Sequence, residues 1–375
     1  MGENKQKVHA SSSFIPYPFT LIHSSFNSSS PRPFMPLSIH HALTHATATL
    51  TTEGIPNPRL DAELLLVHTL GLTRAGLYAR LQEVISEADV QRFHQLLHRR
   101  QQREPLQYIT GVQEFWSLEF TVTPDVLIPR PETELVVETA LRLLSQSSVV
   151  SNQYSVFSKK EEKQEARGKR QEAKVENPSL QSAIRLPPPS GGNPLAPSVG
   201  GQSTIRIFDA GTGSGCIAIA LAKELPGAEV WAVDVSSAAL AVAQENAQQH
   251  DVAERVRFLQ GDLFIPLQNR DLTFDLIVSN PPYIVHSEIH TLQPEIRNWE
   301  PRGALDGGHD GLDFYRRLLS EGPQYLRSGG WLVMEIGQGQ GTEVMRLARR
   351  QPALAAASCK FDYAGCERVV LAQKR

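Results

Sequence analysis

Strand-like and helix-like segments alternate along the C-terminal half of the chain, and this alternation limits the fold more than any other feature. From Ile205 onward, short apolar runs such as "IRIFDA", "EVWAVDV" and "FDLIVSN" are separated by longer helical stretches such as "SAALAVAQENAQQ". Strands joined through helices pair in parallel by right-handed crossovers and form an open α/β sheet. Ligands of such sheets bind beyond the carboxyl ends of the strands. We therefore expect an α/β catalytic domain over residues 205–375, with its site at those ends.

Residues 37–103 show helical periodicity and carry no motif for chemistry. In "PRLDAELLLVHTLGL" the spacing of Leu60, Leu64, Leu65 and Val67 predicts the apolar face of an amphipathic helix. A second helix is predicted at "SEADVQRFHQLLHRR", with the serine as its N-cap. These patterns predict a small helical bundle that docks a substrate.

Three other segments complete the predicted organisation. Residues 104–145 form a connection, in which "FWSLEFTVTPDVLI" predicts a β-hairpin and "PRPETELVVETALRLL" starts a helix. Residues 146–204 are charged and then Pro/Gly-rich, which predicts a disordered insertion. Residues 1–36 are rich in Ser, Pro and His without periodicity and predict a disordered extension. Translation starting at Met35 is one alternative for that extension, and a transit peptide, which its few basic residues disfavour, is another.

Composition and charge argue against several classes of function. The sequence has no apolar run long enough to cross a membrane. Its three cysteines lack CxxC spacing, which favours a reducing cytoplasm over a disulfide framework and offers no metal motif. The formal net charge is -3, and only the insertion is basic, which disfavours a large phosphate-binding surface. We expect a cytoplasmic monomer that binds a protein or a small molecule, without direct binding of nucleic acid, membrane or metal.

A glycine loop in "FDAGTGSGCIAIALA" joins the first strand of the α/β domain to its helix. Gly211, Gly213 and Gly215 allow a tight turn and a close backbone approach to a ligand. Cys216 stands where the dinucleotide fingerprint needs glycine, and no Gly-Lys-Ser/Thr follows, so the loop need not face phosphate. Taken alone, the glycines can also serve only to turn a strand into a helix.

Acidic side chains follow the next two predicted strands. Asp234 comes 19 residues after Gly215, where a carboxylate accepts hydrogen bonds from ribose hydroxyls. Asp262, in "GDLF", can accept from an adenine amino group. A nucleoside without phosphate, held by two carboxylates that also suit a cationic sulfonium, points to S-adenosylmethionine. The alternative is that Asp234 only caps the helix that begins near Ser236.

The strand "FDLIVSN" ends on the tetrapeptide Asn280-Pro281-Pro282-Tyr283. The two prolines hold the backbone extended and remove two N–H donors. The Asn280 side-chain oxygen and the Pro281 carbonyl can each accept one N–H of an incoming –NH₂ group, and Tyr283 can stack on its planar π-system. The tetrapeptide therefore predicts a site for a planar amide or amine, with a turn that has no chemical role as the alternative.

In these motifs the chain resembles the release-factor glutamine methyltransferase family (HemK-type). The resemblance implies a class I (Rossmann-like) S-adenosylmethionine methyltransferase domain preceded by the small helical bundle. It also implies transfer of methyl to N5 of the glutamine in the Gly-Gly-Gln motif of class 1 peptide chain release factors. The matching stretches are "VLIPRPETE", "DAGTGSGCIAIALA", "AVDVS", "GDLF", "DLIVSNPPYI", "EPRGALDGGHDGLDFYR" and "GCERVV".

The resemblance also implies roles for individual residues. The substrate amide would meet Asn280, Pro281, Pro282 and Tyr283, of which we expect Asn280, Pro281 and Tyr283 to be catalytic. The residues expected to contact the cofactor are Gly211, Thr212, Gly213, Ser214, Gly215, Asp234, Asp262, Leu263 and Asn280.

Two other acceptors fit the same tetrapeptide. A glutamine of a ribosomal protein would need only a different docking surface. The N6 amino group of adenine in nucleic acid offers the same two N–H bonds, although the acidic charge balance weighs against it.

Overall fold

The computed structural model describes residues 37–146 and 204–375. The predicted extension 1–36 and residues 147–203 of the predicted insertion lie outside the described residues. Helices come first along the described chain, and a mostly parallel sheet follows. The helices that precede the sheet are α1 (Ile39–Thr52), α2 (Pro58–Leu70), α3 (Arg74–Ala79), α4 (Glu87–Gln101), α5 (Leu106–Thr110) and α6 (Glu134–Gln146).

The buried face of α2 differs from the predicted one. Leu65 is buried as expected, but Leu60 is 39% exposed and Leu66 is buried in its place. The cause is electrostatic, because the buried carboxylates of Asp61 in the first turn and Glu63 in the second accept hydrogen bonds from arginines. A salt bridge can hold a carboxylate in a protein interior that would otherwise exclude it, and here it rotates the helix away from its most apolar stripe.

A β-hairpin links the helical domain to the catalytic domain. Its strands are β1 (Val112–Phe115) and β2 (Leu118–Thr121), joined at Trp116 and Ser117, which both have positive φ. Two such residues make the turn that matches the twist of a two-residue hairpin. The hairpin therefore starts earlier than the alternating segment "FWSLEFTVTPDVLI" predicted.

The catalytic domain contains a seven-stranded sheet in the order β5-β4-β3-β6-β7-β9-β8. The first five strands in this order are parallel, and β9 runs antiparallel to both β7 and β8. The edge strand β8 was not predicted, because its sequence "LAAASCKF" has few residues with strong β propensity. The strands are β3 (Arg206–Ala210), β4 (Glu229–Asp234), β5 (Val256–Gln260), β6 (Phe274–Ser279), β7 (Leu326–Glu335), β8 (Leu354–Phe361) and β9 (Glu367–Lys374).

Helices cover both faces of this sheet, which gives the predicted α/β fold class. Ile207 of β3 faces a core shared with α6 and the next helix, whereas the adjacent Phe208 faces a second core on the opposite side. Side chains that alternate between two buried faces are typical of a sheet between two helical layers. The remaining helices are α7 (Cys216–Glu224), α8 (Ser237–Gln249), α9 (Pro294–Arg297), α10 (Asp313–Glu321) and α11 (Gly341–Arg349).

A buried arginine joins the helical domain to the catalytic domain. Arg100 of α4 is 5% exposed, and its Nε donates to Asp61 Oδ2 of α2 at 2.7 Å. Its Nη1 and Nη2 each donate to Glu295 Oε1 of α9 at 3.1 Å, and Arg103 Nη1 donates to the same oxygen at 3.0 Å. This group of charges fixes the helical domain beside the site described next.

Candidate active site

The strand ends that carry the predicted site residues lie side by side. The order β5-β4-β3-β6 places Asp234, Ala210 and Ser279 along one edge of the sheet. Neighbouring ends are hydrogen-bonded, with Ser279 Oγ donating to the Ala210 carbonyl at 2.7 Å and Gly261 N–H to the Asp234 carbonyl at 2.9 Å. The strand order changes direction at β3, between β4 and β6. Open α/β sheets bind their ligands at this point.

The glycine loop takes a backbone conformation that other residues resist. The φ angle is +76° at Gly211, +55° at Gly213 and +82° at Gly215. A Cβ on Gly215 would lie 2.9 Å from Ile219 Cδ1 and 3.1 Å from Ala243 Cβ, so this glycine also lets α7 approach α8. A Cβ on Gly211 or Gly213 would meet nothing within 4 Å. These two positions therefore leave room for a ligand directly against the backbone.

Asp234 is held by the loop that it faces. Its Oδ2 accepts from Gly213 N–H at 2.9 Å, and its Oδ1 accepts from Ser236 N–H at 2.9 Å. The N-cap of α8 is Ser236, whose hydroxyl accepts from Ala239 N–H. Because a carboxylate offers about four lone-pair sites, Asp234 keeps free acceptors in a fixed direction.

A second carboxyl group, Asp209, lies buried beneath the glycine loop. Its Oδ2 accepts from Thr212 Oγ1 at 2.7 Å, while its Oδ1 has no hydrogen-bond partner within the described residues. Burial raises the pKa of Asp209 to about 7. Of the predicted loop residues, Thr212 thus uses its hydroxyl on Asp209, and the carbonyl of Ser214 accepts from Asn246 Nδ2 at 2.9 Å.

Asp262 and Leu263 follow β5 at the end of the same edge. Asp262 Oδ1 accepts from Arg317 Nη1 of α10 at 2.9 Å, and this carboxylate side chain is 45% exposed. Leu263 is buried in the core beside α10 with φ of +47°. The adenine contact of Asp262 and the cofactor contact of Leu263 stay predictions, and the salt bridge is a feature that the sequence did not indicate.

The Asn280 side chain contacts a residue that is distant in the sequence. Its Nδ2 donates to Thr133 Oγ1 at 3.1 Å, across 147 sequence positions. Thr133 is 1% exposed and lies in the turn Pro131–Thr133 that precedes α6. That turn is anchored by Arg130, whose Nη2 donates to the buried Glu300 at 2.5 Å. The Asn280 amide is thereby oriented from one side.

The backbones of three glycines pack closely against Tyr283. A Cβ on Gly307 would lie 2.7 Å from Tyr283 Cα, one on Gly311 2.5 Å from the Tyr283 carbonyl oxygen, and one on Gly337 3.0 Å from Tyr283 Cδ2. The same carbonyl accepts from Gln340 Nε2 at 3.0 Å. Burial raises the pKa of the Tyr283 phenol to about 12, so the ring stays neutral. The ring at the end of the tetrapeptide is therefore uncharged and closely surrounded.

The two prolines leave carbonyl acceptors free. Pro281 is buried and Pro282 is half-buried. Within residues 37–146 and 204–375, no backbone N–H donates to the Pro281 carbonyl. The structure therefore combines Asn280, this carbonyl and the fixed Tyr283 in one segment, beside the glycine loop.

Sequence reasoning did not identify three side chains that support the site: Thr133, Glu335 and Gln340. Glu335, at the end of β7, is 1% exposed, and the Thr133 side chain acts to lower the pKa of its carboxyl. The available signals were a threonine inside "PRPETE" and an isolated acid closing the apolar strand "WLVME". Neither signal indicates which distant residue it contacts.

The sequence contains two histidine pairs with a spacing of four residues, His94/His98 and His286/His290, which could chelate a metal on a helix. His286 Nδ1 lies 2.7 Å from Asp306 Oδ2, and His98 Nε2 lies 2.9 Å from Gln102 Nε2. In the parts of the chain that the structure describes, no group of three or more His, Cys, Asp or Glu side chains can hold a metal ion.

The residues present fit S-adenosylmethionine. The loop at Gly211 and Gly213 leaves open space, Asp234 offers directed acceptors for hydroxyls, and the buried Asp209 has an unpartnered oxygen below the loop. Residues 211–216 of the loop contain no lysine that could bind a phosphate. The fold and this site define an S-adenosylmethionine-dependent methyltransferase.

Comparison with known proteins extends this assignment to a family. Residues 41–111 match the family model described as the PrmC N-terminal domain, and residues 190–296 match the methyltransferase small domain. The chain is 41% identical over 84% of its length to a release factor glutamine methyltransferase of Geobacter sulfurreducens, covering 89% of that protein. It is 42% identical to one of Moorella thermoacetica, with 90% of this chain and 99% of that protein covered. The chain belongs to the release factor glutamine methyltransferase family.

A solved structure of human methyltransferase 10 domain containing protein is also similar, with 15% identity and a TM-score of 0.40. The match covers 68% of this chain and 88% of that one. None of the helices in residues 37–146 and 204–375 is both long and apolar enough to cross a bilayer.

Proposed function

We propose that this chain transfers a methyl group from S-adenosylmethionine to N5 of the glutamine in the Gly-Gly-Gln motif of class 1 peptide chain release factors. The observation that carries the proposal is the orientation of Asn280, whose N–H is used on Thr133 at 3.1 Å. Its Oδ1 is then left as an acceptor beside the Pro281 carbonyl. Family membership supports the choice of a release factor as the substrate.

Two acceptors in one segment suit a primary amide. Asn280 Oδ1 and the Pro281 carbonyl would each bind one N–H of the glutamine –NH₂ group, which directs the nitrogen lone pair away from both. The neutral ring of Tyr283 would stack on the amide plane. S-adenosylmethionine, when bound, supplies a methyl group activated by a positively charged sulfur.

The same acceptors stabilise the developing charge. An amide nitrogen is a poor nucleophile because its lone pair is delocalised, and it becomes positive as the new bond to carbon forms. Hydrogen bonds from its N–H groups to Asn280 Oδ1 and the Pro281 carbonyl then strengthen, which lowers the barrier. The proton becomes acidic once the nitrogen is alkylated and passes to water, so this arrangement requires no dedicated base.

A protein substrate would dock on the helical domain over 37–103, which Arg100 and Glu295 hold beside the site. We propose that the enzyme acts as a cytoplasmic monomer and does not bind nucleic acid directly.

The test is transfer of labelled methyl to three acceptors, followed by mapping. The purified chain, labelled S-adenosylmethionine and either release factor, ribosomal protein or nucleic acid are incubated, and labelled peptides are sequenced by mass spectrometry. We expect label on the glutamine of Gly-Gly-Gln. Label on nucleic acid or a ribosomal protein, with none on the release factor, would overturn the proposal.

Two variants make this test specific. Asn280→Ala should lower kcat by at least about 100-fold, because it removes an acceptor that acts in the transition state. Its dissociation constant for S-adenosylmethionine, measured by calorimetry, should change far less. The control is Asn57→Ala, since Asn57 is exposed and its side chain makes no cap hydrogen bond. Equal activity of the two variants would contradict the role of Asn280.

A further inference from the structure

Three polar side chains from distant segments meet behind the substrate side of Asn280. Asn280 Nδ2 donates to Thr133 Oγ1 at 3.1 Å, and the Thr133 side chain is close enough to the Glu335 carboxyl to lower its pKa. Thr133 and Glu335 are each 1% exposed. Asn280 follows β6, Thr133 precedes α6 and Glu335 ends β7. Buried polar groups of this kind are hydrogen-bonded in a defined pattern.

The chemistry of these groups determines which of them donates and which accepts each hydrogen bond. A hydroxyl has one hydrogen, and an ionised carboxylate accepts only. Because Thr133 Oγ1 accepts from Asn280, its own hydrogen is free to go to Glu335. The observed hydrogen bond therefore runs from the Asn280 amide to the Thr133 hydroxyl oxygen, and the hydroxyl hydrogen is left to point away from Asn280.

This direction decides which end of the Asn280 amide faces the substrate. With Nδ2 on Thr133, Oδ1 is available to a substrate N–H. If the amide were turned by 180°, Nδ2 would face the substrate N–H as donor against donor, and the hydrogen bond to the substrate would be lost. The nitrogen and oxygen of an asparagine have almost the same shape, so packing alone does not choose between the two orientations.

The surroundings of Glu335 disfavour the charged form of its carboxyl group. Its Oε2 is buried without a hydrogen-bond partner among the described residues, and burial raises its pKa to about 7. The bond from Thr133 and the charge of Arg368 and Arg130 act in the opposite direction, whereas Glu132 adds to the rise. Burying a carboxyl group destabilises the fold unless the group is paired. Its presence at the end of an apolar strand is explained if it supports the orientation of Thr133.

We propose that Thr133, backed by Glu335, is a positioning residue that turns the Asn280 amide so that Oδ1 faces the substrate amide. The inference rests on the role proposed above for Asn280. Thr133 touches neither the substrate nor the cofactor in this scheme, and it acts only through Asn280.

The experiment compares Thr133→Val, which keeps the shape but has no hydroxyl, with Thr133→Ser, which keeps the hydroxyl. We expect Thr133→Val to lower kcat for release factor by roughly 10- to 100-fold, which is less than the loss of a group that binds the transition state directly, because the Asn280 amide is then free to turn. Its dissociation constant for S-adenosylmethionine should stay within about twofold of wild type, since only one hydrogen bond outside the cofactor contacts is removed. Thr133→Ser should recover most of the activity.

The matched control is Thr69→Val in the helical domain. Thr69 is also buried, and its hydroxyl donates to the Leu65 carbonyl at 2.7 Å. This variant removes a buried hydroxyl of the same kind far from Asn280, so it should change thermal stability and leave kcat near the wild-type value. A kcat for Thr133→Val equal to that of Thr69→Val would overturn the proposal, and so would a failure of Thr133→Ser to recover.

A second readout is independent of activity. The side-chain amide protons of Asn280, assigned by their absence in Asn280→Ala, should shift in the ¹H–¹⁵N spectrum of Thr133→Val and stay near wild type in Thr133→Ser. If wild type methylates an acceptor other than release factor, the proposed function fails while this readout still tests the positioning. Unchanged Asn280 resonances in Thr133→Val would overturn the positioning even if the proposed function holds.

Discussion

At the scale of single residues, the site depends on polar groups whose orientation is set by hydrogen bonds to one or two neighbours. Asp234 is directed by two backbone N–H groups, and Asn280 by the hydroxyl of Thr133. Asp209 differs because one of its two oxygens has no partner in the described part of the chain. Such groups destabilise the fold slightly, and they pre-organise the site before any ligand binds.

Asp209 should therefore make the stability of the ligand-free protein depend on pH. Burial raises its pKa from an ordinary value of 3.8 to about 7. The folded state then binds more protons than the unfolded state between these values, so the free energy of unfolding falls as pH rises through this window. The slope from this group is at most about 1.4 kcal/mol per pH unit.

Urea unfolding of wild type and Asp209→Asn at pH 5 and pH 8 measures this effect. The variant cannot ionise, so it should lose less stability than wild type on going from pH 5 to pH 8. Equal losses in the two proteins would show that Asp209 is not protonated in the fold. Asp271→Asn, an exposed aspartate, serves as the control.

At the scale of elements, glycines determine how closely the functional segments approach each other. Gly307, Gly311 and Gly337 surround Tyr283, and a Cβ on any of them would lie 3.0 Å or less from an atom of this residue. The stretch "ALDGGHDGLDFYR" is thus explained by its packing on the tetrapeptide. Gly215 has the corresponding role between α7 and α8.

Gly215→Ala should be more destabilising than a glycine replacement that adds backbone strain alone. The backbone at Gly215 has a φ of +82°, and the new Cβ would lie 2.9 Å from Ile219 Cδ1. At Gly71, which ends α2 with φ of +64°, a Cβ would meet nothing within 4 Å. Left-handed backbone costs about 1–2 kcal/mol for alanine, and overpacking adds about 1–3 kcal/mol.

Urea unfolding of Gly215→Ala and Gly71→Ala compares the two costs directly. A larger loss for Gly215→Ala is expected. If both variants lose the same free energy, the contact between α7 and α8 has relaxed around the methyl group and does not require glycine.

At the scale of the whole molecule, ionic contacts place the helical domain beside the active site. Arg100 is buried between Asp61 and Glu295, and removing one partner of such a group leaves an uncompensated charge. The contact between α4 and α9 spans 195 sequence positions. We infer that it fixes the distance between a docked protein and the tetrapeptide.

Glu295→Gln should therefore affect a large substrate more than a small one. The variant keeps an acceptor for Arg100 and Arg103 but removes the charge, which loosens the contact between the domains. We expect KM for intact release factor to rise several-fold, because a protein that contacts both domains needs their fixed arrangement. KM for a short Gly-Gly-Gln peptide should stay near the wild-type value.

Steady-state kinetics with both substrates measures the difference. Glu288→Gln, at an exposed position in the same part of the domain, is the matched control. An equal rise of KM for protein and peptide would mean that Glu295 shapes the active site and not the docking arrangement.

The sequence alone determined the features that lie close together along the chain. The glycine loop, Asp234 and the tetrapeptide at Asn280 each directly follow an apolar strand, so the α/β class and the position of the site could be predicted. Local periodicity was less reliable on α2, where buried salt bridges turned Leu60 outward. It also failed for β8, whose small residues carry a weak signal.

Only the tertiary structure decided which distant residues meet. Thr133 reaches Asn280 across 147 positions, and Arg100 reaches Glu295 across 195. The physical reason is that periodicity and turn chemistry are set by neighbours in sequence, whereas these pairs depend on how whole elements pack. The sequence predicted that Asn280 would face an amide, and the packing of the turn at Thr133 beside the end of β6 directs Asn280 Nδ2 to the Thr133 hydroxyl.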